Sequence, residues 1–185
     1  MQKVIIFVDG SNFYHGIKKE IANPALWVDY LQLFQILAED RQLKHIYYYS
    51  SPVNRDAFGE QAYQNQQKFF SRIKKCRDLT LKLGRLEKRI KDGVTTFVEK
   101  GVDVSIAVDM ISMAYENRFD TAILVSGDGD FAVAISEVQK LGKVVEVAYP
   151  PSSRLFHLKQ VCNRFIPIDK TILDKCSQPF DSTKR

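Results

Sequence analysis

The ten residues KVIIFVDGSN, at positions 3–12, carry the strongest structural signal in this chain. Residues 4–8 are continuously apolar, and the run ends at Asp9 and Gly10. A strand that is buried on both faces of a parallel sheet has this almost unbroken apolar pattern. Residues 122–125 form a second such run, which ends in SGDGD at positions 126–130. The two segments predict two central strands of a parallel sheet.

Further strand patterns and several helical patterns surround these two segments. The strand patterns lie at residues 46–49 and 144–148, with weaker ones at 79–86, 94–99 and 164–168. Helical patterns lie at residues 29–38, 55–76, 104–115, 131–141, 154–161 and 170–176. Strands that alternate with helices predict an α/β protein, here a three-layer α/β/α sandwich with a mainly parallel, Rossmann-like central sheet.

The length and composition fit one globular domain. We expect that domain to cover residues 1–176, followed by a flexible polar tail at residues 177–185. The chain is 45% hydrophobic and 26% charged, which is ordinary for a soluble protein. No apolar stretch reaches the roughly 20 residues that a membrane helix needs. The first apolar run is short and ends in Asp, so it predicts a strand and not a signal peptide.

The cysteines and histidines favour no disulfide framework and no zinc site. Cys76, Cys162 and Cys176 lie far apart without a C-x-x-C pair, and the three histidines complete no zinc pattern. Free thiols are ordinary in the reducing cytoplasm, so we expect a cytoplasmic protein.

Four acidic residues stand at the boundaries of predicted elements. Asp9 and Asp128 follow the two apolar strands, whereas Asp103 and Asp130 open predicted helices. Ligands of open α/β sheets bind beyond the carboxyl ends of the strands, so we expect these acids to share one crevice. Clustered carboxylates repel one another unless a cation binds them, and Mg²⁺ or Mn²⁺ prefers oxygen ligands. Such ions activate water and stabilise the leaving oxygen of a phosphodiester.

Each of these acids also has a purely structural interpretation. Asp103 and Asp130 are compatible with helix capping, although neither has Glu or Gln three residues later. Asp9 and Asp128 are compatible with Asx-turns. Asp109, inside an apolar helical pattern, either supports the acidic site or is a satisfied buried acid. The coincidence of four acids at one predicted edge favours the site.

Three segments of the chain resemble the NYN family, a branch of the PIN-like nucleases. They are VDGSN at 8–12, KGVDV at 100–104 followed by AVD at 107–109, and LVSGDGDF at 124–131. Their order and their positions at element boundaries carry the resemblance, which spreads over residues 3–149. It implies a PIN-like fold, Mg²⁺ or Mn²⁺ as cofactor, and phosphodiester hydrolysis, with RNA as the expected substrate and DNA left open.

The resemblance also implies roles for individual residues. Three acids at matching motif positions would bind the metal: Asp9, Asp103 and Asp128. Asp130 would be a fourth acid or would position water, and Asn12 and Ser126 would orient ligands or the scissile phosphate. No residue at these positions departs from the family pattern in a way that marks an inactive enzyme.

The positive charge is compatible with a nucleic-acid partner. The formal net charge is +5, and basic residues are densest at 74–91. The expected nucleic-acid contacts are Arg85, Lys88, Arg89 and Lys100, against the alternative of an ordinary solvated surface. Four aromatic residues near predicted strand ends would either stack on unpaired bases or belong to the core: Phe13, Tyr14, Tyr149 and Phe156.

The sequence also bears on function classes other than a nuclease. The main alternative is a non-catalytic module that binds RNA or a protein on the same fold. An adhesion-type metal site is disfavoured because Phe13 stands where an Asp-x-Ser-x-Ser pattern has its second Ser. A dinucleotide-binding enzyme is disfavoured because no G-x-G-x-x-G follows residues 4–8. A monomer and a homodimer are both compatible with the sequence.

Overall fold

A computed structural model describes residues 1–20, 26–91, 94–150 and 155–179 of the chain. The strands are β1 (Lys3–Asp9), β2 (Leu26–Val28), β3 (Gln42–Ser50), β4 (Leu79–Leu83), β5 (Arg85–Lys91), β6 (Val94–Lys100), β7 (Thr121–Val125), β8 (Val144–Tyr149), β9 (Arg164–Pro167) and β10 (Ser177–Pro179). The helices are α1 (Gly10–Glu20), α2 (Tyr30–Ala38), α3 (Arg55–Phe58), α4 (Glu60–Ile73), α5 (Val102–Tyr115), α6 (Ala132–Lys140), α7 (Phe156–Val161) and α8 (Lys170–Cys176). A 3₁₀ helix, Gly129–Phe131, precedes α6.

Six strands form one parallel sheet in the order β4-β3-β1-β7-β8-β9. In the middle of this sheet, Ile6 of β1 lies between Ile46 of β3 and Ile123 of β7. The chain adds β3 and β4 on one side of β1 and then crosses to add β7, β8 and β9 on the other. The strand order therefore reverses between β1 and β7, which is where open α/β sheets bind ligands.

Helices cover this sheet on both faces. Val4, Ile6 and Val8 of β1 pack in one buried layer with α1, α2, α4 and α8, whereas Ile5 and Phe7 pack in a second layer with α5, α6 and α7. The alternation follows from the opposite directions of successive side chains in a strand. The three-layer α/β/α fold expected from the sequence is confirmed.

The helix expected over residues 55–76 is divided into two helices. α3 ends at Gly59, whose φ is 83°, and α4 starts with the next residue. That φ lies in the left-handed region, which glycine enters without the steric cost that other residues meet. Apolar spacing alone did not locate the break, because the residues on both sides keep a helical pattern.

The segment expected to be a strand over residues 79–86 also divides. β4 forms the edge of the six-stranded sheet, and after Gly84 the chain enters a separate antiparallel hairpin of β5 and β6. A Cβ added at Gly84 would lie 2.8 Å from the carbonyl oxygen of Lys100, so this position needs glycine for a close approach of the two backbones. The sequence Lys91-Asp92-Gly93 also predicts a turn between these two strands, and residues 92 and 93 of that turn lie outside the described residues.

Three elements were absent from the sequence analysis: α1, β2 and β10. The buried face of α1 consists of two glycines with Phe13 and Ile17, so it lacks a strong apolar stripe. β10 pairs with β2 in antiparallel fashion, which places residues 177–179 of the expected flexible tail in a strand. Residues 180–185 and the expected helix start at Arg154 lie outside the described ranges.

The two longest helices in the described ranges, α4 and α5, contain 14 residues each. Within those ranges, no helix combines the length and the apolar character needed to cross a membrane.

Candidate active site

Asp9, the last residue of β1, lies at the point where the strand order reverses. Its residue surface is only 4% exposed. The backbone N–H of Asn12 donates to its Oδ1 at 3.1 Å, and the hydroxyl of Ser126 donates to its Oδ2 at 3.0 Å. The carboxylate is therefore held between the first turn of α1 and the residue that follows β7.

The loop after β7 is held by a chain of hydrogen bonds. The Ser126 Oγ accepts from the backbone N–H of Asp128 at 3.1 Å, and Asp128 Oδ1 accepts from the backbone N–H of Asp130 at 3.0 Å. Asp128 thus makes the Asx-type contact considered from the sequence, and it caps the 3₁₀ helix. Asp130 is exposed and follows this cap.

Asn12 joins the loops that follow three neighbouring strands. Its side-chain Oδ1 accepts from the backbone N–H of Gly127 at 3.0 Å. Its backbone carbonyl accepts from the hydroxyl of Tyr149, at the end of β8, at 2.9 Å. A Cβ at Gly127 would lie 2.6 Å from the Tyr149 ring, so the loop after β7 packs directly on that ring. The structure therefore gives Asn12 a positioning role.

Asp103 lies in the first turn of α5 and does not cap it. The N-cap is Gly101, with φ 86°, and no side chain makes a capping hydrogen bond there. Desolvation raises the pKa of Asp103, and the negative charges of Asp128 and Asp130 raise it further. Asp103 of α5 is therefore close enough to Asp128 and Asp130, which follow β7, for their negative charges to repel.

Glu99, near the end of β6, is a further acid at this site that the sequence analysis did not name. The pKa of Glu99 is raised overall, mainly by desolvation. A hydrogen bond with the Ser11 side chain lowers this pKa, and the charge of Asp103 raises it further. β6 belongs to the hairpin and not to the parallel sheet, so no rule about strand ends pointed to Glu99. Its only sequence signal was its position four residues before Asp103.

Burial and the negative charges of neighbouring acids both act on Asp9. Burial raises the pKa of Asp9 to about 6, against the lowering effect of the hydrogen bonds from Asn12 and Ser126. The charges of Asp103 and Glu99 raise it as well. A buried carboxylate among like charges is stabilised when a cation binds beside it.

The donor set fits a hydrated divalent cation better than a fully protein-coordinated one. In the part of the chain that the structure describes, no three His, Cys, Asp or Glu side chains are grouped closely enough to hold one metal ion. Mg²⁺ commonly keeps several waters and binds to one or two carboxylates. Carboxylate oxygens are also the ligands that Mg²⁺ and Mn²⁺ prefer. Metal binding by Asp9, Asp103 and Asp128 stays a prediction.

Asp109 belongs to a separate cluster on α5. Its Oδ2 accepts from the hydroxyl of Tyr49 at 2.5 Å and forms an ion pair with Lys82 Nζ at 2.5 Å. The carboxylate is therefore satisfied by partners from β3 and β4. Of the two interpretations left open by the sequence, the structure supports a satisfied acid.

The expected nucleic-acid contacts fall on two faces of the β5–β6 hairpin. Lys88 is opposite Phe97 in the antiparallel register, on the same face as Glu99. Arg85, Arg89 and Lys100 alternate onto the other face, where Arg89 pairs with Glu87 at 3.3 Å. Only Lys88 of this group shares a hairpin face with the acidic site.

The four aromatic residues considered as base platforms have different environments. Phe13 is fully buried, and Tyr149 is 5% exposed with its hydroxyl bonded to Asn12, so both are part of the folded interior. Tyr14 is 51% exposed and is free to contact a ligand. The side chain of Phe156 lies outside what the structure describes.

Comparison with known proteins gives a family and a fold. The profile of a family described as the NYN domain matches residues 3–169. No curated protein matches the chain. A crystal structure of a protein of unknown function from Vibrio parahaemolyticus is similar to it, with a TM-score of 0.70 and 25% sequence identity. The similarity covers 91% of this chain and 94% of that one.

Proposed function

The chain belongs to the NYN domain family, and from this membership and its acidic cleft we propose a metal-dependent nuclease that hydrolyses phosphodiester bonds in single-stranded RNA. The family has a PIN-like nuclease fold. The metal, the reaction and the RNA substrate are the proposal. They are supported by the residues that meet at the junction of β1 and β7.

The observation that carries the proposal is the state of Asp9. This carboxylate lies at the switch point of the sheet, where burial, together with the charges of Asp103 and Glu99, raises its pKa to about 6. Without a bound ion, such a cluster of ionised acids destabilises the folded state, because the negative charges repel one another. A divalent cation would offset that repulsion, and a phosphodiester would bring its own negative charge to the same cation.

Each residue of the cleft has an assigned role in this proposal. Asp9, Asp103 and Asp128 would hold a hydrated Mg²⁺ or Mn²⁺, directly or through its waters, and the ion when bound supplies an activated water and neutralises charge on the leaving oxygen. Ser126 keeps Asp9 oriented through its 3.0 Å hydrogen bond. Asn12 fixes the loop after β7 through Gly127. Asp130 is exposed beside Asp128 and would position water.

Single-stranded RNA is favoured by the surface around the cleft. Tyr14 and Phe58 are large aromatic side chains that are 51% and 54% exposed. Aromatic rings at such positions stack on unpaired bases, which a double helix does not offer. Lys88 supplies a positive charge on the hairpin face that carries Glu99. Phosphate contacts of this kind give affinity without sequence preference.

A non-catalytic RNA- or protein-binding module is the second candidate. The lack, within the described ranges, of three potential ligands grouped for one metal favours it. In that case the acids would serve as the Asx-turn and loop contacts described above. Cleavage activity separates the two candidates.

The experiment is an incubation of purified protein with end-labelled single-stranded RNA and DNA of matched sequence. Each substrate is tested with Mn²⁺, with Mg²⁺ and with chelator. We expect cleavage of RNA with either metal and none with chelator. Binding of RNA without cleavage under all three conditions would support the second candidate and contradict the first.

A further inference from the structure

A pocket of about 620 Å³ opens beside the acidic cleft. Its walls come from the first turns of α1, the segment after β3, α4 and the β5–β6 hairpin. Pockets that bind small molecules have volumes of roughly 300–1,000 Å³. The described part of this pocket is therefore large enough for a nucleoside-sized group.

The pocket and the cleft share residues. Gly10 and Ser11, which directly follow Asp9, line the pocket, and so does Glu99. Ser11 and Glu99 are joined by a side-chain hydrogen bond. A group bound in the pocket would therefore lie next to the acidic cleft.

Aromatic rings supply much of the lining. At the outer wall, Phe58 of α3 and Phe97 of β6 have ring centroids 6.1 Å apart, and Phe58 is 54% exposed. At the inner wall, Tyr48 and Phe69 make an edge-to-face contact at 5.4 Å. Planar bases stack on rings of this kind in single-strand binding proteins.

The charge of the lining favours a base over a phosphate. Among the described residues that line the pocket there is no Lys or Arg, and Glu99 is acidic. Phosphate sites use cationic side chains or helix amino termini, and the amino terminus of α1 already donates to the carboxylate of Asp9 through Asn12. A nucleobase is neutral, planar and polar at its edges, which matches aromatic walls with polar side chains such as Asn65 in the lining.

We propose that this pocket receives one unpaired base of the RNA and so selects the nucleotide that lies next to the scissile phosphate. The inference rests on the proposed function for its RNA substrate. Base binding itself needs neither metal nor catalysis. Base binding in the pocket and RNA cleavage in the cleft can therefore be tested separately.

The test is calorimetric binding of the four ribonucleoside 5′-monophosphates to the full chain in chelator, with ribose 5-phosphate as the probe that lacks a base. We expect at least one nucleotide to bind and ribose 5-phosphate not to bind. Ala62 of α4 lines the pocket, so Ala62→Phe should fill it and abolish nucleotide binding. Gln64→Phe is the matched control on the same helix, because Gln64 is exposed and outside the pocket.

Phe58→Ala keeps the inference testable if Ala62→Phe fails to fold, because Phe58 lines the pocket and is 54% exposed, so its loss should leave the core intact. Loss of one stacking ring should weaken nucleotide binding roughly tenfold. Failure of all four nucleotides to bind at millimolar concentration, or equal binding by the wild type and both pocket variants, would overturn the inference. Absence of RNA cleavage alongside pocket-dependent nucleotide binding would instead overturn the proposed nuclease.

Discussion

The Ser126 hydroxyl donates to Oδ2 of Asp9 at 3.0 Å and so joins the residues that follow β7 and β1. This contact crosses the point at which the strand order of the sheet reverses. The Ser126 hydrogen bond stabilises the ionised form of Asp9 and lowers its pKa, while burial raises it. The pKa of Asp9 therefore depends on a balance between these two opposing effects.

Replacing Ser126 with Ala should shift that balance. Without the hydrogen bond, the pKa of Asp9 rises above its value of about 6. If cleavage requires ionised Asp9, the acidic limb of the pH–rate profile moves to higher pH in the variant. Ser136→Ala is the control, because the Ser136 hydroxyl donates within α6, to the carbonyl of Ala132 at 3.0 Å. An unshifted acidic limb with a uniformly lower rate would contradict this role.

Asp9→Asn should stabilise the metal-free protein at neutral pH. The pKa of Asp9 is raised from 3.8 to about 6 in the folded state. Protonated Asp9 therefore contributes stability that is fully present below pH 3.8 and is lost as the pH rises through about 6. The difference corresponds to about 3 kcal/mol at pH 7. The Asp9→Asn variant has no carboxyl group at this position, so its stability should not fall as the pH rises through about 6.

Urea unfolding in chelator between pH 4 and pH 8 measures this effect. The wild type should lose stability across the acidic half of the range, and Asp9→Asn should not. Asp169→Asn is the control, since Asp169 caps α8 through Ile172 and Asn is an equally good cap. A variant that is less stable than the wild type at pH 7 would show that ionised Asp9 is net stabilising.

Mn²⁺ or Mg²⁺ should raise the melting temperature, because the metal would bind only the folded cluster. At about 100 times the dissociation constant the gain is roughly 2.7 kcal/mol, or on the order of 5–11 °C for a domain of this size. Asp128→Asn should remove most of this rise without unfolding the loop, because Asn also accepts the Asp130 N–H. Asp174→Asn, at an exposed position on α8, should keep the full rise.

Asp103→Ala distinguishes metal binding from helix capping in the same melting experiment. The structure places the cap of α5 at Gly101, so loss of the Asp103 carboxylate should barely change metal-free stability. It should reduce the metal-dependent rise. A loss of about 0.5–2 kcal/mol in metal-free protein with an intact metal response would restore the capping interpretation.

Lys88 and Arg89 form a matched pair for RNA binding. They are adjacent in β5, but only Lys88 shares a face with Phe97 and Glu99. Lys88→Ala should weaken RNA binding and reduce its salt dependence by about one phosphate contact, whereas Arg89→Ala should have little effect. Fluorescence anisotropy over a salt series measures both. Equal effects of the two substitutions would mean that the RNA does not follow the hairpin face that carries Lys88, Phe97 and Glu99.

The sequence predicted the parts of the site that depend on strand ends. Asp9 and Asp128 were identifiable because continuous apolar runs predict central parallel strands, whose carboxyl ends meet at one edge. Glu99 and the pocket were not, because they depend on how the β5–β6 hairpin folds against α1 and α4. The break at Gly59 was also not predicted. Its φ of 83° ends α3, although the apolar pattern predicts one uninterrupted helix across this position.

Single-turnover cleavage of labelled single-stranded RNA by the wild type, Asp9→Asn and Asp128→Asn tests the central claim most directly. With saturating RNA and Mn²⁺, each substitution should lower the cleavage rate by about a thousandfold or more, because it removes a carboxylate that would hold the metal. Both variants should remain folded and still bind RNA, and chelator should abolish wild-type cleavage. Cleavage that persists in chelator, or at near wild-type rates in both variants, would contradict a carboxylate-held metal centre.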